Sequence, residues 1–246
     1  MGVNLPGFKK GDRTDIELPA VQRELIDALH RAGKKIILVN CSGSPIGLEP
    51  ETQKCEAILQ AWYPGQQGGK AVAEVLFGDY NPAGKLPVTF YRNVSQLPDF
   101  EDYNMTGRTY RYMQDVPLFP FGYGLSYTTF GYGKTVLDKN ELTAGQSLKL
   151  TVPVTNTGKC NGEEVVQVYL RKQGDAEGPI KTLRAFKRVS IPAGKTVNVE
   201  FDLKDKELEW WDDQSNTVRV CPGNYDIMVG GSSKEEDLQR TTIAIK

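Results

Sequence analysis

Asp12, Asp15 and Glu17 crowd around Arg13 in one short stretch near the start of the chain. Grouped carboxylates are what general acid–base chemistry and attack at a glycosidic carbon require, one group giving a proton and another acting as base or nucleophile. Two of the three have a structural use as well, because Asp15 and Glu17 stand just ahead of a helix start, where negative charge stabilises the positive end of the dipole. Asp12 and Arg13, in a loop after Lys9-Lys10-Gly11, are the better functional candidates.

Other chemistries fit less well. Gly65-Gln66-Gln67-Gly68-Gly69-Lys70 is one residue short of a phosphate loop, and Ala71 replaces the hydroxyl that would hold magnesium, so nucleotide binding is rejected. These glycines instead allow a tight turn from strand to helix. Cysteines 41, 55, 160 and 221 form no C-x-x-C pair, and one histidine cannot complete a Cys/His zinc set, so no metal or cofactor is expected. Cys160 and Cys221 are either a facing pair in a β domain or, more commonly, isolated thiols. His30 suits the last turn of a helix, and no serine stands in a G-x-S-x-G turn. Cys41-Ser42-Gly43-Ser44-Pro45 follows a strand at its carboxyl end, where open α/β sheets place functional loops; a plain turn is the alternative.

The elements that must position these residues change character along the chain. Val21, Leu25, Ala28, Leu29 and Ala32 recur every three or four residues, with Pro19 at a first helical position and Gly33 as a left-handed stop, which predicts an amphipathic helix. Ile36-Ile37-Leu38-Val39 reads as a strand buried on both faces, as in parallel sheets. Ala57-Ile58-Leu59 reads as a second strand, Gln67–Phe77 as a helix with Val72, Val75 and Leu76 inward, and Leu86–Phe90 as a third strand. From about residue 134 the period becomes two: Leu148, Leu150, Val152 and Val154, then Val197, Val199, Phe201 and Leu203, with further runs at 166–170 and 225–229. Pro153 points to an edge strand or bulge. The expected fold class is therefore α/β, a partial and mostly parallel sheet with flanking helices, followed by an all-β immunoglobulin-like sandwich. The expected segments are 1–99, an aromatic bridge at 100–133, and 134–246.

Ten of the 23 aromatic residues fall between Phe100 and Tyr132, interleaved with Arg108 and Arg111. Such faces stack on sugar rings. The competing expectation is that Phe119, Phe121, Tyr123, Tyr127 and Phe130 join the sandwich to the α/β layer. Composition narrows the partners. Lys and Arg number 30 against 31 Asp and Glu, evenly divided between the halves, so no basic excess invites nucleic acid. No stretch has the roughly 18 apolar residues of a membrane span, and Met1–Gly7 has no signal-peptide character.

Several motifs together resemble the C-terminal half of glycoside hydrolase family 3, the β-glucosidase and β-xylosidase group. They are Gly11-Asp12-Arg13 before Leu18-Pro19, Asn40 with Gly43-Ser44-Pro45, and Ala61-Trp62-Tyr63-Pro64-Gly65-Gln66 with Gly68-Gly69. Gly78-Asp79-Tyr80-Asn81-Pro82-Ala83-Gly84-Lys85-Leu86-Pro87 and Phe119-Pro120-Phe121-Gly122-Tyr123-Gly124-Leu125-Ser126-Tyr127 are the most specific. The resemblance implies part of an α/β sandwich domain followed by a fibronectin type III-like domain, in an enzyme whose barrel carries the nucleophile. It implies retaining hydrolysis of a β-linked oligosaccharide or glycoside by two carboxylates about 5–5.5 Å apart. Nucleophile and acid/base are then expected upstream of Met1, so the chain alone is predicted inactive and has the missing N-terminal barrel as partner. Asp12 and Arg13 match a loop position that shapes the outer subsite and are the substrate-binding candidates. Residues 4–19 and Trp62-Tyr63-Pro64 lie closer to xylosidase-like members. The resemblance also implies a family often periplasmic or secreted. The alternative is a non-catalytic carbohydrate-binding or assembly module.

Overall fold

The computed structural model describes residues 15–99 and 101–246; Asp12 and Arg13 lie outside the described residues. The chain forms two compact units. The first runs up to Tyr80 and includes Val88–Thr109 and Met113–Phe119; the second comprises Asn81–Pro87, Tyr110–Tyr112 and Pro120–Lys246.

In the first unit, helix α1 (Ala20–Arg31) begins behind Pro19 and stops at Ala32, with Gly33 at φ +67° and His30 and Arg31 in the last turn. The expected helix is there, but the face it buries differs. Ile26 is the buried residue and joins Leu18, Ile36, Ile46 and Leu48 in a small core. Val21 and Leu25 remain 71% and 59% exposed. The three-to-four spacing was satisfied by two neighbouring stripes, and the core took the one containing Ile26.

Strands β1 (Ile37–Asn40) and β2 (Ala57–Gln60) pair in parallel, Ile37 opposite Ala57 and Asn40 opposite Gln60. A short helix, α2 (Glu49–Thr52), lies between them in sequence, and α3 (Gly68–Phe77) follows, closed by Gly78 at φ +84°. Burial of β1 on both faces is corrected: Ile37 is half exposed and only Asn40 is fully buried. Residues Leu86–Phe90 are not a strand either. Phe90 makes one antiparallel bridge with Phe119, and Pro87, which has no N–H to donate, interrupts any ladder. Among the described residues of this unit the parallel ladder is confined to the four-residue strands β1 and β2, and the expectation of a mostly parallel sheet holds here only for this pair.

The second unit is a sandwich. One sheet has the order β5-β13-β12-β7-β8, formed by Glu141–Leu142, Gln239–Ile245, Gly223–Gly230, Gly162–Lys172 and Thr182–Ile191. In the other, β6 (Leu148–Asn156) pairs on one side with β9 (Thr196–Leu203) and on the other with the short β3 (Phe130–Tyr132) and β4 (Val136–Leu137). A separate hairpin joins β10 (Trp210–Asp212) to β11 (Thr217–Arg219). Leu148, Leu150, Val152 and Val154 all face the core, with Tyr225 among its largest members, while Tyr169, equally buried, lies outside that cluster and packs against Tyr110. That inward alternation buries one face of each sheet. Pro153 is not on an edge: β6 is central, and the proline falls where β3 has ended and β4 has not begun, so no ladder partner needs its N–H.

Of the described aromatics between 101 and 132, seven are half-buried, and Tyr103 and Tyr127 are exposed. Tyr110 stacks on Phe121 at 4.3 Å and meets Tyr169 edge-on. All four cysteines are free thiols, Cys160 exposed and Cys221 buried.

Candidate functional site

Parallel strands end with their backbone carbonyls and following loops at one edge, and in α/β sheets that edge is where ligands meet the protein. Here the loops after β1 and β2 meet there. Asn40 Nδ2, on the last residue of β1, donates to Gln60 Oε1 at 2.6 Å and to Ser42 Oγ at 3.1 Å. Gln60 Nε2, on the last residue of β2, donates to the same Ser42 Oγ at 3.2 Å, and Ser42 Oγ donates to the Ser44 carbonyl at 2.8 Å. This closed set of bonds fixes both strand ends and the Cys41–Pro45 loop.

The second loop is built on an unusual backbone. Trp62 has φ +54°, a left-handed value that costs a bulky residue free energy and persists only where its surroundings enforce it. The Trp62 ring packs edge-on against Phe90 at 6.0 Å, while Tyr63 is turned out and is 80% exposed. Tyr63 lies over Gly43: a Cβ there would come within 2.5 Å of Tyr63 Cε2. A side chain at Gly43 would thus displace the Tyr63 ring from this position. Gly65 at φ +67° then turns the chain toward α3, and Gly68 packs against Pro64.

A third segment joins the edge. Gly47 N–H donates to the Ile16 carbonyl at 2.9 Å, and Glu17 and Gly47 form a parallel bridge. The structure thus brings the Asp15–Leu18 stretch beside the loop after β1. Its acids are already engaged: Asp15 Oδ1 accepts the Glu17 N–H at 3.0 Å, and Glu17 pairs with Arg23 of α1. Glu17 is thus tied to α1 through Arg23, whereas Asp15 closes the turn ahead of it, and α1 itself has no side-chain cap and no acid in its first turn.

The same unit holds a residue that sequence reasoning missed. Glu51 of α2 is 1% exposed, and among the described residues neither of its carboxylate oxygens has a hydrogen-bond partner on another residue. Burial pushes its pKa up, opposed first by its own backbone N–H and then by Lys54 and Arg23, and assisted by Glu17. The only signal was a glutamate within a Pro-x-Thr turn, which reads as an ordinary helix start. Burial likewise raises the neighbouring Cys55 thiol. Among the described residues no group of three or more His, Cys, Asp or Glu side chains is placed to hold a metal, and no helix is long and apolar enough to cross a membrane.

Residues 3–127 match the glycosyl hydrolase family 3 C-terminal domain, and residues 164–233 match a fibronectin type III-like domain. The chain belongs to glycosyl hydrolase family 3. Over 245 residues this family 3 chain is 58% identical to a xylan 1,4-β-xylosidase of Xylanibacter ruminicola, covering 100% of itself and 28% of that protein. It is 42% identical to a β-xylosidase of Formosa agariphila, covering 96% of itself and 33% of the relative. A β-glucosidase structure from Erythrobacter marinus superposes with a TM-score of 0.85 at 40% identity, over 99% of this chain and 32% of that one. A β-glucosidase from Listeria innocua in complex with glucose gives 0.81 at 30% identity, over 94% and 34%. The chain spans about a third of the length of these relatives.

Proposed function

We propose that this chain is the C-terminal portion of a retaining β-glycosidase of the β-xylosidase or β-glucosidase type, with its nucleophile and acid/base outside these residues. The observation that carries this is identity of 58% along the whole chain to a xylan 1,4-β-xylosidase of which it spans 28%. The engagement of Asp15 and Glu17 supports it, since neither offers a free carboxylate for a displacement at the anomeric carbon. The exposed Val21 and Leu25 stripe of α1 supports a partner as well, because apolar surface of this kind gains about 25 cal/mol per Å² when covered. The partner proposed is the upstream barrel-bearing part of the enzyme. The substrate proposed is a β-linked oligosaccharide or glycoside, with Asp12 and Arg13 shaping its outer subsite. The segments proposed are an α/β part at 1–99, an aromatic segment at 100–133 and a fibronectin type III-like part at 134–246.

The test is hydrolysis of nitrophenyl β-xyloside and β-glucoside by the purified chain, alone and mixed with a separately expressed barrel-bearing portion of a close relative. Silence alone and turnover on mixing is the expected result. Turnover by the chain alone, lost in Asp12→Ala or Glu17→Ala, would overturn the assignment and place catalytic carboxylates here.

A further inference from the structure

At the β1–β2 loop edge one aromatic ring is held in water by a strained backbone. Trp62, at φ +54°, occupies the left-handed region that favours glycine, and its ring is drawn inward onto Phe90. The next residue, Tyr63, is 80% exposed. An aromatic side chain left in water forgoes the large apolar gain of burial, and here the neighbouring backbone is strained as well. Strain of this kind gathers at ligand contacts, where the surroundings hold a residue in a geometry it would not otherwise adopt.

The ring is nevertheless seated. Its Cε2, Cζ and Oη atoms are the ones a Cβ on Gly43 would meet, so it touches the Cys41–Pro45 loop along that edge. That loop is fixed by the bonds among Asn40, Ser42 and Gln60. On the other side, the Ala61 N–H donates to the Asn40 carbonyl at 2.9 Å, which anchors the chain just before Trp62. Tyr63 is thus positioned from both loops while most of its surface stays open to solvent. A ring placed in advance loses little freedom when it meets a ligand.

The chemistry of the two loops narrows what that ligand is. Residues 40–48 and 57–69, from which both loops are built, contain no charged side chain, so an ion finds no counter-charge on either. A protein anchor is ordinarily one of several apolar side chains in a contiguous patch. Tyr63 is instead followed, after Pro64, by the exposed Gly65, Gln66 and Gln67. One flat ring with neutral hydrogen-bonding side chains on the same loops complements a pyranose, which has an apolar C–H face and a rim of hydroxyls.

We infer that Tyr63 is a stacking platform for one neutral pyranose ring of a β-linked oligosaccharide, at a subsite away from the bond that is cleaved. It is placed away from that bond because neither loop carries an acid, and the acids of the adjoining Asp15–Leu18 stretch are engaged. The inference rests on the glycosidase reading for the identity of the sugar, whereas the stacking itself requires no turnover. Its consequence for the enzyme is a preference for longer substrates over single glycosides.

The test is saturation-transfer difference NMR of the whole chain with xylobiose and xylotriose, irradiating the aromatic protons. Transfer is expected to saturate with sugar and to fall chiefly on the C–H protons of one pyranose face. Tyr63→Ala is expected to weaken binding at least about tenfold, and Tyr63→Phe, which keeps the ring, to stay within about twofold. Neither should move the melting temperature, since the side chain is in water. Tyr103→Ala, which removes a ring 89% exposed elsewhere in the unit, is the control for non-specific contact and should leave the transfer unchanged. Transfer without hydrolysis on mixing would remove the glycosidase reading and keep Tyr63 as a sugar contact. Absence of transfer, an affinity unaltered by Tyr63→Ala, or equal losses in Tyr63→Ala and Tyr63→Phe would each overturn the inference. So would a Tyr63→Ala change that weakens association with the barrel-bearing portion and leaves sugar binding intact, which would make the ring a packing contact.

Discussion

Lys85 Nζ and Glu164 Oε1 lie 2.9 Å apart with only 16% and 8% of their side chains exposed, and they tie the Asn81–Pro87 segment to the start of β7. Removing one member leaves the other's charge in a poor solvent, whereas removing both removes the problem. Lys85→Met is therefore expected to cost about 2–4 kcal/mol in urea unfolding, and Lys85→Met with Glu164→Leu much less than the sum of the two single changes. Additive losses would show the pair to be solvated.

Glu51 has no such partner, and its raised pKa makes stability depend on pH. An acid whose folded pKa exceeds its unfolded one contributes fully below the ordinary carboxylate value, and that contribution is lost as pH rises through the folded value. Glu51→Met should therefore gain about 1–3 kcal/mol over the parent at pH 7–8 and progressively less toward pH 4. Thermal melts of both proteins across that range decide it.

Gly124 has ordinary backbone angles, yet a Cβ there would collide with the Gly84 carbonyl, a backbone atom that cannot swing aside. Gly124→Ala is expected to destabilise by about 2–4 kcal/mol, the range for overpacking plus a displaced turn. Gly69→Ala, where a Cβ meets nothing within 4 Å, is the matched control and should be neutral or slightly stabilising.

Phe121 stacks on Tyr110, which in turn meets Tyr169, but Phe121 is only half-buried. Phe121→Ala should cost about 2–3 kcal/mol, short of the 3–5 kcal/mol of a fully buried phenylalanine. Phe121→Leu should recover roughly half of that loss in the same unfolding experiment.

The elements whose signals are local were legible in the sequence. Pro19 and Gly33 bound α1, Gly78 ends α3, and the alternation over Leu148–Val154 and Val197–Leu203 gives β6 and β9 with the correct faces inward. What depends on pairing was not. Which stripe of α1 enters the core is decided by where Leu18, Ile36 and Leu48 stand, and Leu86–Phe90 fails as a strand because it bonds only at its ends, Leu86 with Gly122 and Tyr123 and Phe90 with Leu118 and Phe119. The Asn40–Gln60 bond exists because β1 and β2 pair in that register, which no residue count reveals. Glu51 was invisible for the same reason, since burial of a charge is a property of its surroundings. Gly43 and Gly65 were visible as glycines, but the ring of Tyr63 lying over Gly43 was not.

The place of β8 at the end of its five-stranded sheet also bears on how the molecule behaves in company. An outermost strand offers unused N–H and C=O groups to any other chain, and Phe186, 67% exposed, adds a greasy contact to that invitation. Lys187 and Arg188 follow immediately and are the charges that discourage it, one reaching the Glu200 carbonyl and the other Glu163. Such flanking cations act as gatekeepers against stacking of identical chains. Their repulsion fades with screening over about 8 Å at physiological salt and 3 Å at 1 M, so concentrated solutions of this chain should clump in strong salt before they unfold.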